Sequence, residues 1–492
     1  MIIKHKEGKQ MSERYLESAN DLPVYGSCDI LVVGGGAAGH SAAIAAARAN
    51  PDAKIFIMER YGYFGGDVTG GYVLMVPALN WRTYPIIRGI QEEWFDRLEK
   101  NAPGSVLSPS MEEMGKSTPI LVDRWSRVFS CTSHGDGETI LMRSPNYDPD
   151  QLKIEMDLMI QELPNIHIMF DCWGTKPIMD GDTIKGVIFE SKAGRQAVYA
   201  KIVIDCTGDG DIYSQAGAPF HGKDGIISEN QRDNQTALVW RAGNVDCEGY
   251  ELWKKDHPDL AKAFTDELKN VAGYFTLFFP GGSMNTVWFN NWINGMNCTD
   301  LDDIRNTQLM VRNSIRRVLA YCKEALPMFF KDAYLMDIAP QLGTRCSRRL
   351  DGEIFLTKQT FIDNPEYDDV IAWTATGYCN APIEIPYGAC LPKKVENLLA
   401  AGRHISADQL AIGAVQLIPQ CVQTGQATGV AAAVAIKDGS TAHTVDIKKV
   451  QYILSHEQNV PLPRQDNTDP QLVADLEAIN YGRGGVLPPW MQ

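Results

Sequence analysis

The stretch that most constrains this chain is Asp29-Ile-Leu-Val-Val33 followed at once by Gly34-Gly35-Gly36-Ala37-Ala38-Gly39. A short apolar run ended by glycines reads as a strand buried on both faces, and the small-residue run Ala37 to Ala49 reads as a helix. G-x-G-x-x-G at such a junction lets the backbone approach a pyrophosphate. The helix N-terminus, carrying roughly half a positive charge, then faces that anion. Lys54-Ile-Phe-Ile-Met58 supplies a second strand, and Glu59 follows it 20 residues after Gly39, where a carboxylate accepts the hydroxyls of an adenosine ribose. The competing reading is a glycine turn used for tight packing alone. NAD and FAD both carry this ADP moiety, so the rest of the chain must decide between them.

With 492 residues the chain has room for about three structural units. Its 44% hydrophobic and 22% charged residues are ordinary for a folded protein, which excludes global disorder. A formal net charge of -15 repels polyphosphate, so nucleic acid is not an expected partner. Eleven cysteines are scattered without a C-x-x-C pair, which argues against a zinc or clustered iron–sulfur site and suits a reducing cytoplasm; no metal is expected. Met1-Ile-Ile-Lys-His-Lys-Glu lacks the apolar core of a secretory signal, and no apolar run is long enough for membrane insertion.

Residues 1–24 read as a polar N-terminal arm. The spacing predicts a helix over 148–163 and strands at 166–170, 183–190 and 197–205. From about 226 to 384 Trp, Phe, Tyr and Asn interleave, around a helix at 301–324. A short buried strand, Asn397-Leu-Leu-Ala-Ala401, and a small-residue helix from Pro419 to Ile436 restore the α/β texture. The expected fold is therefore α/β: a Rossmann-like nucleotide domain (25–80, 146–225 and 385–440) split by an inserted α+β substrate or cap domain (81–145 and 226–384). Residues 441–492 are expected to form an amphipathic helix and a Pro-rich tail wrapped on the surface or across a subunit contact.

A nucleotide domain whose last strand and helix follow the first by hundreds of residues is the arrangement of FAD flavoproteins. Four further blocks join the glycine motif: Tyr61-Gly-Tyr-Phe-Gly65-Gly66, Val203-Ile-Asp-Cys-Thr207-Gly208-Asp209-Gly210-Asp211, Leu398-Leu-Ala-Ala-Gly402-Arg403 and Gly425-Gln-Ala-Thr-Gly429. Together with Leu342-Gly-Thr-Arg345-Cys-Ser-Arg348-Arg349-Leu-Asp-Gly352 and Ile385-Pro-Tyr387, they resemble the FAD-dependent oxidoreductases related to the fumarate reductase and succinate dehydrogenase flavoproteins. That resemblance implies FAD as cofactor, contacted by Gly34, Gly36, Ala37, Ala38, Gly39, Glu59, Arg60, Gly65, Gly66, Thr207, Gly208, Asp209, Gly402, Arg403, Gly425 and Gln426. Where many relatives carry Arg, this chain has Gln416 and Gly388, so an anionic substrate does not follow from the resemblance.

The family places the flavin ring at the junction of the two domains, which makes His404 the first catalytic candidate. Imidazole can exchange a proton at neutral pH; the alternative is a histidine that only hydrogen-bonds the cofactor or backbone. Arg345, Arg348 and Arg349 either grip a carboxylate or the flavin edge, or form ion pairs with Asp351, Glu353 or Asp337 that fix the domain junction. Tyr72, Tyr378 and Tyr387 could polarise a substrate oxygen or merely satisfy their hydroxyls on backbone. Cys131 with His134 could form a nucleophile and base, but a polar loop explains that stretch equally. The aromatic residues at 274–292 suit core, dimer interface or an apolar pocket.

These readings converge on an enzyme that exchanges hydride between flavin N5 and a small organic substrate, with an external electron acceptor or donor left open and a homodimer possible. Two alternatives belong to other classes: an electron-transfer subunit serving a protein partner, and a non-redox isomerase or hydratase that retains FAD. Only one strand–GxGxxG–helix unit is present, so no separate NAD(P)H domain is expected.

Overall fold

The computed structural model describes residues 15–128, 131–135, 138–222, 235–374 and 382–478. Its central sheet starts with β1 (Val24–Val33), continues through α1 (Ala37–Ala49) into β2 (Ile55–Met58), and takes up β3 (Ile166–Met169) after helix α3 (Pro149–Gln161), which itself follows α2 (Ile90–Asn101). β4 (Trp173–Asp180), β5 (Thr183–Ser191) and β6 (Gly194–Asp205) form an antiparallel meander. β6 runs parallel to β1 from Ala197 to Asp205. Its last three residues also pair in parallel with β7 (Leu398–Ala400), which arrives almost two hundred residues later. The parallel order is thus β3-β2-β1-β6-β7.

The apolar run of β1 is explained by cover on both faces. Ile30 and Val32 pack into the core made by α1 and α5 (Ile418–Asp438), whereas Leu31 and Val33 face the meander with Val187, Val203 and Ile212. Both helices are built of small residues because their backbones touch. A Cβ at Gly425 would stand 2.1 Å from the Ala38 carbonyl oxygen, and one at Gly429 would stand 2.2 Å from that of Ala42. Glycines four apart therefore form the groove that admits α1.

The inserted unit carries a second, antiparallel sheet of strands 235–237, 240–243, 275–280, 286–294, 334–338 and 343–346, packed with α4 (Leu301–Ala325). Its aromatic residues are only partly core: Phe279, Trp288 and Phe289 are buried, the last stacked on buried Trp240 with ring centroids 3.8 Å apart, whereas Phe275 is exposed. Strand 349–350 pairs with 220–221 and ties this unit back to the nucleotide domain.

Two segments sit elsewhere than the sequence suggested. Helix α2, expected in the cap, packs on α3 and α5; the Ile90 N–H donates to Gln426 Oε1 at 3.2 Å, and Arg97 pairs with Glu162. The C-terminal segment is more than a surface wrap. Val450, Leu454, Val460 and Leu462 are buried, and Gln458 donates to the Ala45 carbonyl of α1 at 2.9 Å. No helix among the described residues is long and apolar enough to cross a membrane.

Candidate functional site

An open cleft, about 910 Å³ with the solvent space at its mouth included, follows the C-terminal ends of the parallel strands and runs to the inserted unit. At one end, Gly34 leaves β1 with φ +103°, and a Cβ there would meet the Cys206 carbonyl at 2.3 Å. Gly39 is just as tight, its missing Cβ lying 1.7 Å from the Gly34 oxygen. Gly36 differs: its φ is -64°, and the nearest atom to a methyl placed on it is Gly66 Cα at 4.0 Å. The space its side chain would fill belongs to the cleft. Helix α1 begins at the next residue with no side-chain cap and no acid in its first turn, so its first amides are left for an anion. Gly65 and Gly66, both at positive φ, close the opposite wall.

Beside this cradle lies the buried carboxylate of Glu59. It accepts from Gly35 N at 2.6 Å and Tyr61 N at 2.9 Å, which fixes both oxygens toward the cleft wall. Burial raises its pKa, and those two amides oppose the rise. Arg60, Tyr61, Cys172, Trp173 and Gly174 complete this end. Trp173 is 53% exposed, unusually open for an indole, with the Arg60 guanidinium 5.5 Å from its ring.

The middle of the cleft is the loop after β6. Buried Asp205 holds it by accepting from Thr207 N, Ile212 N and Tyr213 N, at 3.0, 3.0 and 2.9 Å, which presents Thr207, Gly208 and Asp211 to the cleft. Burial and the neighbouring Asp209 and Asp205 push the Asp211 carboxyl up to about 6, against the pull of Arg348 at 2.9 Å.

The far end is formed by Asp67, Gln341, Gly402, Arg403, Gln416, Ile418 and Cys421. Helix α5 points its N-terminus here, without a side-chain cap or first-turn acid. The Gln416 Oε1 atom is buried with no hydrogen-bond partner, as expected of a group placed for a ligand. Arg403 grips Asp209 with both Nη atoms, at 3.0 and 3.1 Å. Asp67 accepts the Gln341 amide at 3.3 Å, and burial raises its pKa. An uncapped helix, an open glycine cradle, an oriented carboxylate and an orphaned amide oxygen together fit an elongated dinucleotide with a polar ring system at the far end.

Twelve of the residues implied as cofactor contacts line this cleft: Gly34, Gly36, Ala37, Ala38, Glu59, Arg60, Gly65, Gly66, Thr207, Gly208, Gly402 and Arg403. Four do not. Gly39 and Gly425 serve close backbone approach, Gln426 bonds Ile90 N and Gln458, and Asp209 is the ion-pair partner of Arg403.

The catalytic candidates are displaced more thoroughly. His404 is fully buried and does not line the cleft. In the turn after Gly402, Arg403 enters the cleft while the His404 ring packs against Tyr213, 5.3 Å between centroids, and lies 4.0 Å from Asp205. Burial lowers its pKa, and Asp205 offsets this in part. Tyr72 lies buried beneath the Arg241 guanidinium, 4.9 Å from its ring, and burial pushes its hydroxyl up to about 12. Arg345 stands over Trp292 at 5.1 Å. Arg348 pairs with Asp211, a partner other than those considered, and Arg349 donates to the Ala407 carbonyl at 3.1 Å. The Tyr387 hydroxyl donates to Ala442 O at 2.8 Å. Cys131 is buried, with its thiol pushed up by desolvation. Tyr378 and the His134 side chain lie outside the described residues.

Sequence reasoning passed over Asp67, Asp211, Gln341, Trp173 and Cys421. The Gly65-Gly66-Asp67 step was the available signal, because an acid directly after a glycine pair that faces a phosphate motif must lie near the cofactor.

A model of the FAD dependent oxidoreductase family matches residues 29–454. No curated protein matches the chain. Among solved structures, a geranylgeranyl bacteriochlorophyll reductase-like protein from Thermoplasma acidophilum is 14% identical, with 88% of this chain and 84% of that one covered and a TM-score of 0.42. The p-nitrophenol 4-monooxygenase PnpA from Pseudomonas putida DLL-E4 is 12% identical over 92% and 93% of the two chains, with a TM-score of 0.42. The myxobacterial chondrochloren halogenase CndH is 10% identical over 93% and 90%, with a TM-score of 0.43.

Proposed function

The chain belongs to the FAD dependent oxidoreductase family, and from that premise we propose that it exchanges hydride between N5 of its FAD and a small organic substrate admitted beside the inserted unit. The observation that carries this reading is the single continuous cleft from Glu59, past the Gly36 cradle, to Gln341 and Arg403. Glu59 would take the ribose, and the amides of α1 with Gly65 and Gly66 the pyrophosphate. Gln416, Ile418 and Cys421 would hold the ring. When bound there, FAD supplies a centre that accepts or donates two electrons.

The chain itself supplies the field. The uncapped N-terminus of α5 favours negative charge at the far end, the charge that accompanies reduction. The finer kinship, to the fumarate reductase and succinate dehydrogenase flavoproteins, rests on the Leu342 to Gly352 stretch and the Ile385-Pro-Tyr387 turn. All ten described cysteines are free, which supports a reducing, cytoplasmic location.

The test is anaerobic. The purified chain should carry FAD, and small organic molecules should be screened for bleaching of its band near roughly 450 nm, which the cofactor supplies. Bleaching by one metabolite class at saturable rates supports the proposal. A chain that holds FAD but is reduced only by another protein is an electron-transfer subunit, and a colourless chain holding a nicotinamide overturns the assignment altogether.

A further inference from the structure

With His404 turned away, the far end of the cleft needs another group to move the proton that accompanies hydride transfer. Three acids line the cleft: Glu59, Asp67 and Asp211. Both Glu59 oxygens are taken by backbone amides, and Asp211 is bonded to Arg348. Asp67 is held differently.

Two carboxylates share one guanidinium here. Arg403 gives Asp209 both prongs of its fork, and its Nη atoms also bond Gly208 O and Thr344 Oγ1. Its Nε alone points toward Asp67, at 3.9 Å, too long for a hydrogen bond. Asp67 is thus a second negative charge beside a cation already neutralised by Asp209, an arrangement that raises its affinity for a proton. Its remaining surroundings are the Gln341 amide at 3.3 Å, the Thr344 backbone and the more distant Arg60, the Tyr63 and Tyr147 rings, and the Cys421 thiol. The side chain is 26% exposed, and the exposed part lies in the cleft.

We propose that Asp67 is the proton carrier of this end of the cleft. The proposal rests on the reading that the cleft holds FAD with its ring system beside Gln341 and Gln416. In oxidation of a substrate bearing a C–H bond next to an O–H or N–H, the C–H bond breaks and its electron pair passes with the hydrogen to the cofactor. The O–H or N–H pair becomes the new double bond, and its proton goes to the Asp67 carboxylate. In the reverse direction Asp67 returns that proton. Burial lifts this carboxyl above its ordinary value. Negative charge arriving on reduction lifts it further.

The experiment needs no substrate. Holoenzyme of wild type, Asp67→Asn, Asp67→Glu and Asp211→Asn is reduced with dithionite against a reference dye, and the midpoint potential of bound FAD is followed over about pH 5 to 8. FAD content is read first; a wild type without FAD fails the functional reading and leaves the carboxyl cluster untouched. One proton linked to a two-electron couple changes the equilibrium tenfold per pH unit, about 30 mV. The wild-type slope should therefore exceed that of Asp67→Asn by up to about 30 mV per pH unit within this range, and Asp67→Glu should restore it. Equal slopes for wild type and Asp67→Asn overturn the proposal, as does a slope lost in Asp211→Asn instead. Should Asp67→Asn not retain FAD, the wild-type reduced-minus-oxidised infrared spectrum decides: gain of a protonated-carboxyl band on reduction supports the carrier, and its absence refutes it.

Discussion

Gly36 offers a way to separate what the glycine motif does for the cofactor from what it does for the fold. Its backbone sits at φ -64°, open to any residue, and a methyl there would touch nothing closer than Gly66 Cα at 4.0 Å. For the apoprotein, Gly36→Ala gains about 0.4–1 kcal/mol from a stiffer unfolded chain. It loses a similar amount because alanine is a poorer N-cap. Apo stability should therefore move by less than about 1 kcal/mol. The same methyl, and more so the isopropyl of Gly36→Val, stands where a phosphate must approach the first amides of α1. Two amide–phosphate bonds lost at about 1.5 kcal/mol each weaken binding by about 3 kcal/mol, more than a hundredfold. Denaturant titration of the apoproteins gives the first quantity, and fluorescence titration with FAD gives the second. In wild type, FAD at a hundred times its Kd should add about 2.7 kcal/mol to stability, and that increment should vanish in Gly36→Val at the same FAD concentration. An apo Gly36→Ala that is strongly destabilised, or a Gly36→Val that binds FAD like wild type, would refute the placement of this residue on the cleft floor.

Gly39→Ala makes the opposite case: its Cβ would sit 1.7 Å from the Gly34 oxygen, so the apoprotein itself should lose about 3 kcal/mol or more, read as a drop in denaturant midpoint without FAD. Asp211 gives a pH signature. Its folded pKa of about 6 lies above the ordinary carboxylate value of 3.8, so its contribution is complete below about pH 4 and is lost as pH rises through about 6. Apoprotein stability should fall by at most about 3 kcal/mol across that window, and in Asp211→Asn this component should be absent; identical pH curves would remove the effect. His404 works in the reverse sense. Burial depresses its pKa, so its contribution is present above the unfolded value of about 6.5 and lost as pH falls below it. His404→Ala should cost about 2 kcal/mol or more at pH 7 through the cavity it leaves, measured by thermal melts, while FAD remains bound.

The parts of this molecule that were legible in its sequence are those governed by local pattern. A glycine motif after an apolar run, followed by Glu59, specifies strand, turn and helix because each needs only its neighbours. The return of the α/β texture at Leu398 likewise located β7, although nothing local names β6 as its partner. What escaped was direction. Arg403 and His404 are adjacent, yet one enters the cleft and the other packs on Tyr213, and that choice is made by the positive φ of Gly402 and by Asp205 in a distant strand. Gly425 looked like a cofactor residue because of its sequence neighbours; its i, i+4 partner Gly429 was the sign of helix-to-helix contact. Asp67 was signalled locally by the glycine pair before it, but its partners Gln341 and Arg403, hundreds of residues away, are brought to it only by the fold.

The pairing of β7 with the end of β6 has a consequence for biosynthesis. The ribosome completes Asp205 long before Leu398, and at about 5–20 residues per second the interval is about 10–40 s. Throughout it the growing chain holds β1 and β6 with one flank of the sheet uncovered and α1 without its partner α5. Such long-range closure is intrinsically slow, and the waiting surface is apolar. The inserted unit, whose strands are consecutive in the chain, can mature during that wait. The cofactor cleft cannot, because its far wall, from Gly402 to Cys421, is translated only after the inserted unit, so the complete cleft is open to FAD only once that segment has joined the sheet.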